Sequence, residues 1–255
     1  RWVPAAAQAH TVRFENDPAF ATAPAQEVTV AARLDPDLDP ATFRLTALGF
    51  GPHLVRVPGG RQSYATRVSA ANPDGSPLWV DVDARFDPAA GVLTLTLRSV
   101  DPQTWLPPLD PFAGVLPVND GTGRGEGFVG FTVSPRAGQP TGTRFDAAAD
   151  IVFDFNAPIA TPPAFNTLDA DPPDAAAGVD AAETDRPTVA VRVTGTDAGS
   201  GVEAADVFVS TDGGPWRLWL DDFTGESAAF TGEPGRAYAF RAVGRDRVGN
   251  VEPMP

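Results

Sequence analysis

Thr188-Val-Ala-Val-Arg-Val-Thr194 and Asp206-Val-Phe-Val-Ser210 decide the fold. In both, apolar and polar residues alternate with period two, which puts one set of side chains on each face of an extended strand. An amphipathic helix would space its apolar residues three and four apart, and neither stretch does. Asp212-Gly-Gly follows the second stretch and leads into Pro215-Trp-Arg-Leu-Trp-Leu220, so a glycine-rich reversal joins two strands as a hairpin. Ser227-Ala-Ala-Phe230 and Ala237-Tyr-Ala-Phe-Arg-Ala-Val243 supply further strands. Tyr238 stands just after the turn Glu233-Pro-Gly-Arg236, where sandwich folds use a tyrosine hydroxyl to hold nearby backbone. Phe240 and Ala242 then face the core beside it.

The same reading extends upstream. His10–Glu15, Gln26–Arg33, Thr42–Thr46, Tyr64–Val68, Leu78–Phe86, Val92–Leu97, Gly127–Val133 and Ala148–Phe155 all carry strand patterns. Between them stand Asp-Pro pairs beginning at Asp17, Asp35, Asp39, Asp87, Asp101 and Asp110, with another at Asp171. The proline fixes its own φ and pushes the preceding residue off helix, so each pair marks a turn. Strands and turns without intervening helices predict an all-β chain of two consecutive Greek-key, Ig-like β-sandwich domains. Residues 169–186 are acidic, small and proline-marked, without a β period, and are expected to be a self-repelling linker between domains at 1–168 and 187–255.

Composition narrows the function. All 19 basic residues other than the two histidines are arginine, 33 are acidic, and the net charge is −14. Phosphate recognition needs clustered cations, so this balance argues against nucleic acid as a partner and fits divalent cations or a salty exterior. The chain has no cysteine, which excludes a disulfide framework and thiolate metal chemistry. It has no lysine, which excludes a Schiff base, a P-loop lysine and Lys-to-Asn isopeptide crosslinks. Gly and Pro number 25 and 27, the signature of a turn-rich β protein, while a hydrophobic fraction of 42% supports a real core. No apolar run reaches the roughly 20 residues of a transmembrane helix. With no initial Met or leader-like segment, the chain is expected to be processed or a piece of something longer.

Gly195-Thr-Asp-Ala-Gly-Ser-Gly-Val202, Val207-Phe-Val-Ser-Thr-Asp-Gly-Gly-Pro-Trp216 and Gly244-Arg-Asp-Arg-Val-Gly-Asn-Val-Glu252 resemble a bacterial fibronectin type III or Ig-like module. The family often carries a tryptophan in its first core strand, where this chain has Val193; Trp216 or Trp219 compensates in this reading. Residues 10–168 resemble the uncharacterised repeat domains of large bacterial envelope proteins. That likeness rests on Thr11-Val-Arg-Phe-Glu-Asn16, Ala21-Thr-Ala-Pro-Ala25, Leu34-Asp-Pro-Asp-Leu-Asp39, Gly125-Glu-Gly-Phe-Val129, Gly142-Thr-Arg144, Asp150–Pro158 and Asn166-Thr-Leu168. Both resemblances imply an extracellular or cell-surface protein of bacteria.

Catalytic motifs are sparse. His10 and His53 stand in no metal or triad arrangement and read as surface or strand-end histidines. Gly125-Glu-Gly-Phe-Val-Gly130 matches a dinucleotide fingerprint in letters but runs into a strand rather than a helix. Asp81 and Asp83 share one strand face, as glycosidase carboxylates can, although a solvated face accounts for them. Calcium is the one cofactor expected. In a fibronectin-like topology, the loops carrying Asp197 and Asp246 emerge at one pole, and Asn250 adds an oxygen nearby. The alternative is that each aspartate makes an Asx turn within its own loop and holds no ion.

Trp79, Trp105, Trp216 and Trp219 raise a carbohydrate-binding reading, because sugar rings stack on exposed indoles; Trp216 and Trp219 face opposite sides of a strand, so at most one lies in the core and the exposed one is a candidate binding residue. The short tail after Asn250 makes a poor closing strand: either the parent chain continues, or an open edge receives a strand from another copy. Together these features predict no enzyme. The chain is expected to be a structural, spacer or adhesion module of a large exported bacterial surface protein, partnered by neighbouring domains or copies of that protein. The alternative is an accessory carbohydrate-binding module of a secreted hydrolase, partnered by glycans.

Overall fold

A computed structural model of the chain describes residues 1–180 and 183–254. Ala181 and Ala182, in the expected linker, and Pro255, at the end of the expected second domain, lie outside the described residues. Strands and turns make up the structure, with no α-helix among the described residues. The strands are β1 (Trp2–Pro4), β2 (Gln8–Glu15), β3 (Glu27–Arg33), β4 (Leu38–Phe50), β5 (His53–Arg56), β6 (Ser63–Ala71), β7 (Pro77–Asp87), β8 (Val92–Val100) and β9 (Glu126–Pro135). They continue as β10 (Arg144–Phe153), β11 (Ile159–Ala160), β12 (Ala164–Asp169), β13 (Asp174–Gly178), β14 (Thr188–Thr196), β15 (Val202–Thr211), β16 (Arg217–Phe223), β17 (Ser227–Thr231) and β18 (Tyr238–Asp246). Every strand expected from periodicity is present; β1, β5, β11, β12 and β13 were not expected.

One compact unit comprises Ala6–Ala137 and Phe145–Phe165. One of its layers runs β2-β9-β4-β5 and the other runs β10-β3-β8-β7-β6, with β11 against β10. Period-two patterning is cleanest in β7, where Leu78, Val80, Val82, Ala84 and Phe86 are buried and the residues between them are not. Val28, Val30, Leu93, Leu95 and Leu97 are fully buried on neighbouring strands of that layer. Phe43 reaches across from the other layer. It is fully buried, stacks on Phe86 with ring centroids 4.0 Å apart, and meets Phe131 at 5.0 Å.

The turns of this unit repeat one device. At Asp17, Asp35, Asp39, Asp87, Asp101 and Asp110, the carboxylate Oδ1 accepts the backbone N–H two residues on, at 2.7 to 3.0 Å. Proline occupies the skipped position, where no N–H is available to compete. Asp39-Pro40 acts inside β4, where the pairing with β9 jumps from Asp39↔Ser134 to Arg44↔Thr132. The extra β4 residues form a bulge, and the Thr42 hydroxyl closes it by accepting the Ser134 N–H at 2.9 Å.

The second unit contains the chain from Asn166 onward together with Arg1–Ala5 and Gly138–Arg144. Its sheets run β13-β14-β17 and β16-β15-β18. Val193, Ala205, Val207 and Ala242 form its core, with Trp219, Leu220 and Phe223 packed against them. The Tyr238 hydroxyl accepts the Glu233 N–H at 2.9 Å, the tie expected of a tyrosine after that turn. Trp219 packs against Phe230 and Phe240, while Trp216 on the other side is 39% exposed. β1 pairs in parallel with β12, Val3 opposite Leu168, and both residues are buried.

Two expectations about domains are corrected. The two sandwiches are not simply consecutive, because the N-terminal strand and a loop at 138–144 belong to the second unit. Nor is 169–186 a plain linker: Asp174–Gly178 is a strand paired with Arg192–Thr196, and Asp169 is fully buried. Alanine and glycine give weak strand propensity and hide the period. Their small side chains nevertheless let this strand lie close to the facing sheet, where a Cβ on Gly244 would come within 3.1 Å of the Ala175 Cβ.

His10 corrects a smaller expectation. It is half-buried within β2, its ring stacked on Phe131 at 5.1 Å, and its buried Nε2 has no hydrogen-bond partner among the described residues. Burial disfavours the imidazolium and lowers the pKa below 6.5.

Replacing Phe43 by alanine removes the contact between layers and is expected to cost about 3–5 kcal/mol in urea unfolding. Acid supplies a second test. The unfolded chain binds a proton at His10 near pH 6.5 while the folded chain resists it. Stability is therefore retained above pH 6.5 and lost as pH falls from there to the folded value. Unfolding midpoints of the wild type and His10→Phe should run parallel above pH 7.5 and diverge below 6.5, the wild type falling faster.

Candidate metal centre

Three strands reach the second unit's aspartates at their ends: β12 ends on Asp169, β18 ends on Asp246, and β14 ends one residue before Asp197. The sandwich brings these ends to one pole, where each carboxylate offers an oxygen within 4.8 Å of the others. Asp169 and Asp246 are 0% exposed, and Asp197 is half-buried. Carboxylates buried side by side repel one another and lose hydration, a cost that a bound cation would offset. None of the three forms an ion pair among the described residues. Arg247 reaches the same loop, but its guanidinium donates to the Ser200 carbonyl at 3.3 Å.

Backbone N–H groups hold one oxygen of each carboxylate. Asp197 Oδ2 accepts from Gly199 and Gly201, Asp246 Oδ1 from Val248 and Asn250, and Asp169 Oδ2 from Ser200 at 2.6 Å. Among the described residues, Asp197 Oδ1 has no hydrogen-bond donor and Asp169 Oδ1 has only the Thr141 hydroxyl at 3.5 Å. Gly199 makes this approach possible, since a Cβ there would lie 2.3 Å from the Asp169 carboxyl carbon. Ser200, 8% exposed, carries a buried Oγ with no hydrogen-bond partner.

Asp197 and Asp246 each make the Asx-type bonds of their own loops, and the two loops also meet. Asn250 sits with them, its amide nitrogen in contact with both Asp246 and Asp169. Its Nδ2 donates to Asp246 Oδ2 at 2.7 Å and to the Asp169 carbonyl at 3.0 Å, so it positions Asp246, leaving Oδ1 as the atom it could offer an ion. Asp169 went unrecognised because it opens the acidic stretch expected to be a linker. The available signal was the apolar Leu168 before it and the Pro172-Pro173 stop after it, which together mark a strand end.

Calcium takes six to eight oxygen ligands, carboxylates among them, at about 2.3–2.6 Å. The three oxygens lie within 4.8 Å of one another, close enough to share one cation. Asp206, Asp221 and Asp222 form a second acidic group, but Asp222 is paired with Arg245 at 2.9 Å and the group is largely exposed.

The remaining candidates resolve simply. Asp81 is in a bidentate pair with Arg67, at 2.6 and 2.9 Å, which lowers its pKa, the opposite of what a general acid needs. Asp83 pairs with Arg85. Gly125-Glu-Gly-Phe-Val-Gly130 enters β9, so no helix end is there to hold a pyrophosphate. No helix among the described residues is long and apolar enough to cross a membrane.

A family described as "Domain of unknown function (DUF7619)" matches residues 115–167. No curated protein matches the chain. Similar solved structures include fibronectin(III)-like modules of Clostridium thermocellum CbhA, 11% identical, covering 49% of this chain and 63% of that one, with a TM-score of 0.27. The C-terminal domain of the AgI/II polypeptide BspA from Streptococcus agalactiae is 9% identical and covers 81% of this chain and 60% of its own, with a TM-score of 0.39. ACE19, the collagen-binding subdomain of Enterococcus faecalis surface protein ACE, is 14% identical, with coverages of 57% and 78% and a TM-score of 0.24. The chain thus spans less than two thirds of the CbhA and BspA structures. Its class follows from its own strands: an all-β protein of two compact units built from β-sheets.

Gly199→Ala tests the close approach. The added methyl must displace the buried Asp169 carboxylate, and a cost of about 1–3 kcal/mol is expected from such overpacking. Gly178→Ala, where a Cβ meets nothing within 4 Å, should leave the melting curve unchanged.

Proposed function

We propose that this chain is a calcium-braced, non-catalytic spacer or adhesion module of an exported bacterial surface protein. The observation that carries the reading is the convergence of Asp169, Asp197 and Asp246 at one pole, two of them fully buried and none ion-paired among the described residues. A bound divalent cation would replace the missing positive charge and give the free carboxylate oxygens a partner. The chemistry is structural: the ion fixes three strand ends, and the sandwich faces and loops remain available for contacts. A net charge of −14, with arginine as the only strong base, suits an exterior rich in calcium and salt.

Thermal melting in millimolar calcium against chelator tests the proposal. Ligand at a hundredfold its Kd stabilises the native state by about 2.7 kcal/mol, which for a unit of about 100 residues is a rise of about 10 °C or more. The rise should vanish in Asp246→Ala and in Asp169→Asn. Asp169→Asn, which removes one buried charge, should melt no lower than the wild type in chelator. Identical wild-type melting in calcium and chelator would overturn the reading.

A further inference from the structure

The strongest unassigned feature lies in the other unit, apart from the proposed calcium centre. β8 is followed by a loop, residues 101–116, that exposes a tryptophan by design of its backbone. Trp105 has φ of 65°, a left-handed conformation that bulky residues avoid, and its side chain is 65% exposed. Asp101 pins the loop. Its carboxylate accepts the Gln103 and Thr104 N–H groups, its carbonyl accepts the Trp105 N–H at 2.9 Å, and its own N–H reaches the Leu106 carbonyl. The indole is equally fixed. It meets Trp79 edge to face at 4.9 Å, and the Arg67 guanidinium lies 4.9 Å from its ring centroid and 5.0 Å from that of Trp79. Strained backbone and a twice-held ring leave a large aromatic surface in water without giving it freedom to fold away.

The sheet beside this indole carries a row of charges. Arg67 on β6, Asp81 on β7, Arg98 on β8 and Glu27 on β3 are successive cross-strand partners on the outward face. Arg67 pairs with Asp81, and Arg98 with Glu27 at 2.8 Å. The row is neutral, two cations against two anions, on a chain of net charge −14. It crosses four strands, about 14 Å at ordinary strand spacing. The loop follows it: Trp105 stands by Arg67 at one end, and at the other Gln26, next to Glu27, donates to the Pro108 and Asp110 carbonyls.

The geometry points to a binding face for a neutral glycan, with a pyranose ring stacked on Trp105 and its hydroxyls bonded to the Arg67–Asp81–Arg98–Glu27 row. An aromatic plate beside alternating donors and acceptors matches a ring with an apolar C–H face and hydroxyls at its edge. The neutral row offers no net attraction to an anionic polymer, and the acidic chain repels one. The length of the row suits more than one sugar unit. This face differs from the exposed tryptophan expected from sequence, Trp216, which stands in the other unit with the Arg241 guanidinium 5.9 Å from its ring centroid.

Affinity electrophoresis of the whole chain through gels containing soluble xylan, hydroxyethylcellulose, mixed-linkage β-glucan, galactomannan or alginate tests this inference, with calcium present and again with chelator. Retardation by at least one neutral polysaccharide is expected, insensitive to salt. Trp105→Ala should weaken it about ten- to hundredfold, the contribution of one stacking platform, and Trp105→Tyr should recover part of it. Trp216→Ala should leave it unchanged, and all three variants should melt with the wild type because Trp105 and Trp216 are exposed. Three outcomes would overturn the assignment: no retardation by any neutral gel, retardation that Trp105→Ala does not change, or retardation by alginate alone that salt abolishes.

Discussion

An aspartate followed by proline is the constraint on which the first sandwich depends. Proline fixes one dihedral and removes a donor, and the preceding carboxylate then takes the next available N–H. Repeated at Asp17, Asp35, Asp39, Asp87, Asp101 and Asp110, this local bond sets where strands stop, and at Asp39 where one bulges. Register follows, because in a two-faced strand a slip of one residue would move Leu93, Leu95 and Leu97 from core to water. The layer contact through Phe43, Phe86 and Phe131 is available only once those registers are right.

This explains which parts of the fold were legible in the sequence. Strands such as Pro77–Asp87 and Thr188–Thr196 announce themselves because β-branched and aromatic residues alternate with polar ones and turn residues bracket them. Asp174–Gly178 carries only Asp, Ala and Gly, so its membership of a sheet is decided by what it packs against and not by its own pattern. The short strands Trp2–Pro4 and Ile159–Ala160 hold too few residues to show a period. The parallel pairing of the first with Thr167–Asp169 is a contact between chain positions that no local window compares.

The candidate site divides the same way. Asp197 and Asp246 were visible because each follows a recognisable core strand, and a known topology puts those strand ends together. Asp169 reaches the same pole from a segment whose composition suggested solvent. The exposed Trp105 owes its setting to a backbone angle and to Arg67, which is far away in sequence and adjacent in the sheet. Pairings across a sheet multiply such neighbours beyond what sequence spacing suggests.

The convergence of Asp169, Asp197 and Asp246 also bears on chain topology. These residues are far apart in sequence, and an ion shared among them would close large loops in the polypeptide, as a covalent bridge does. Cross-links of that span stabilise chiefly by restricting the unfolded ensemble. A cysteine-free chain would thereby gain the equivalent of a disulfide that needs no oxidant, re-forms without isomerisation, and is removed simply by lowering the surrounding calcium.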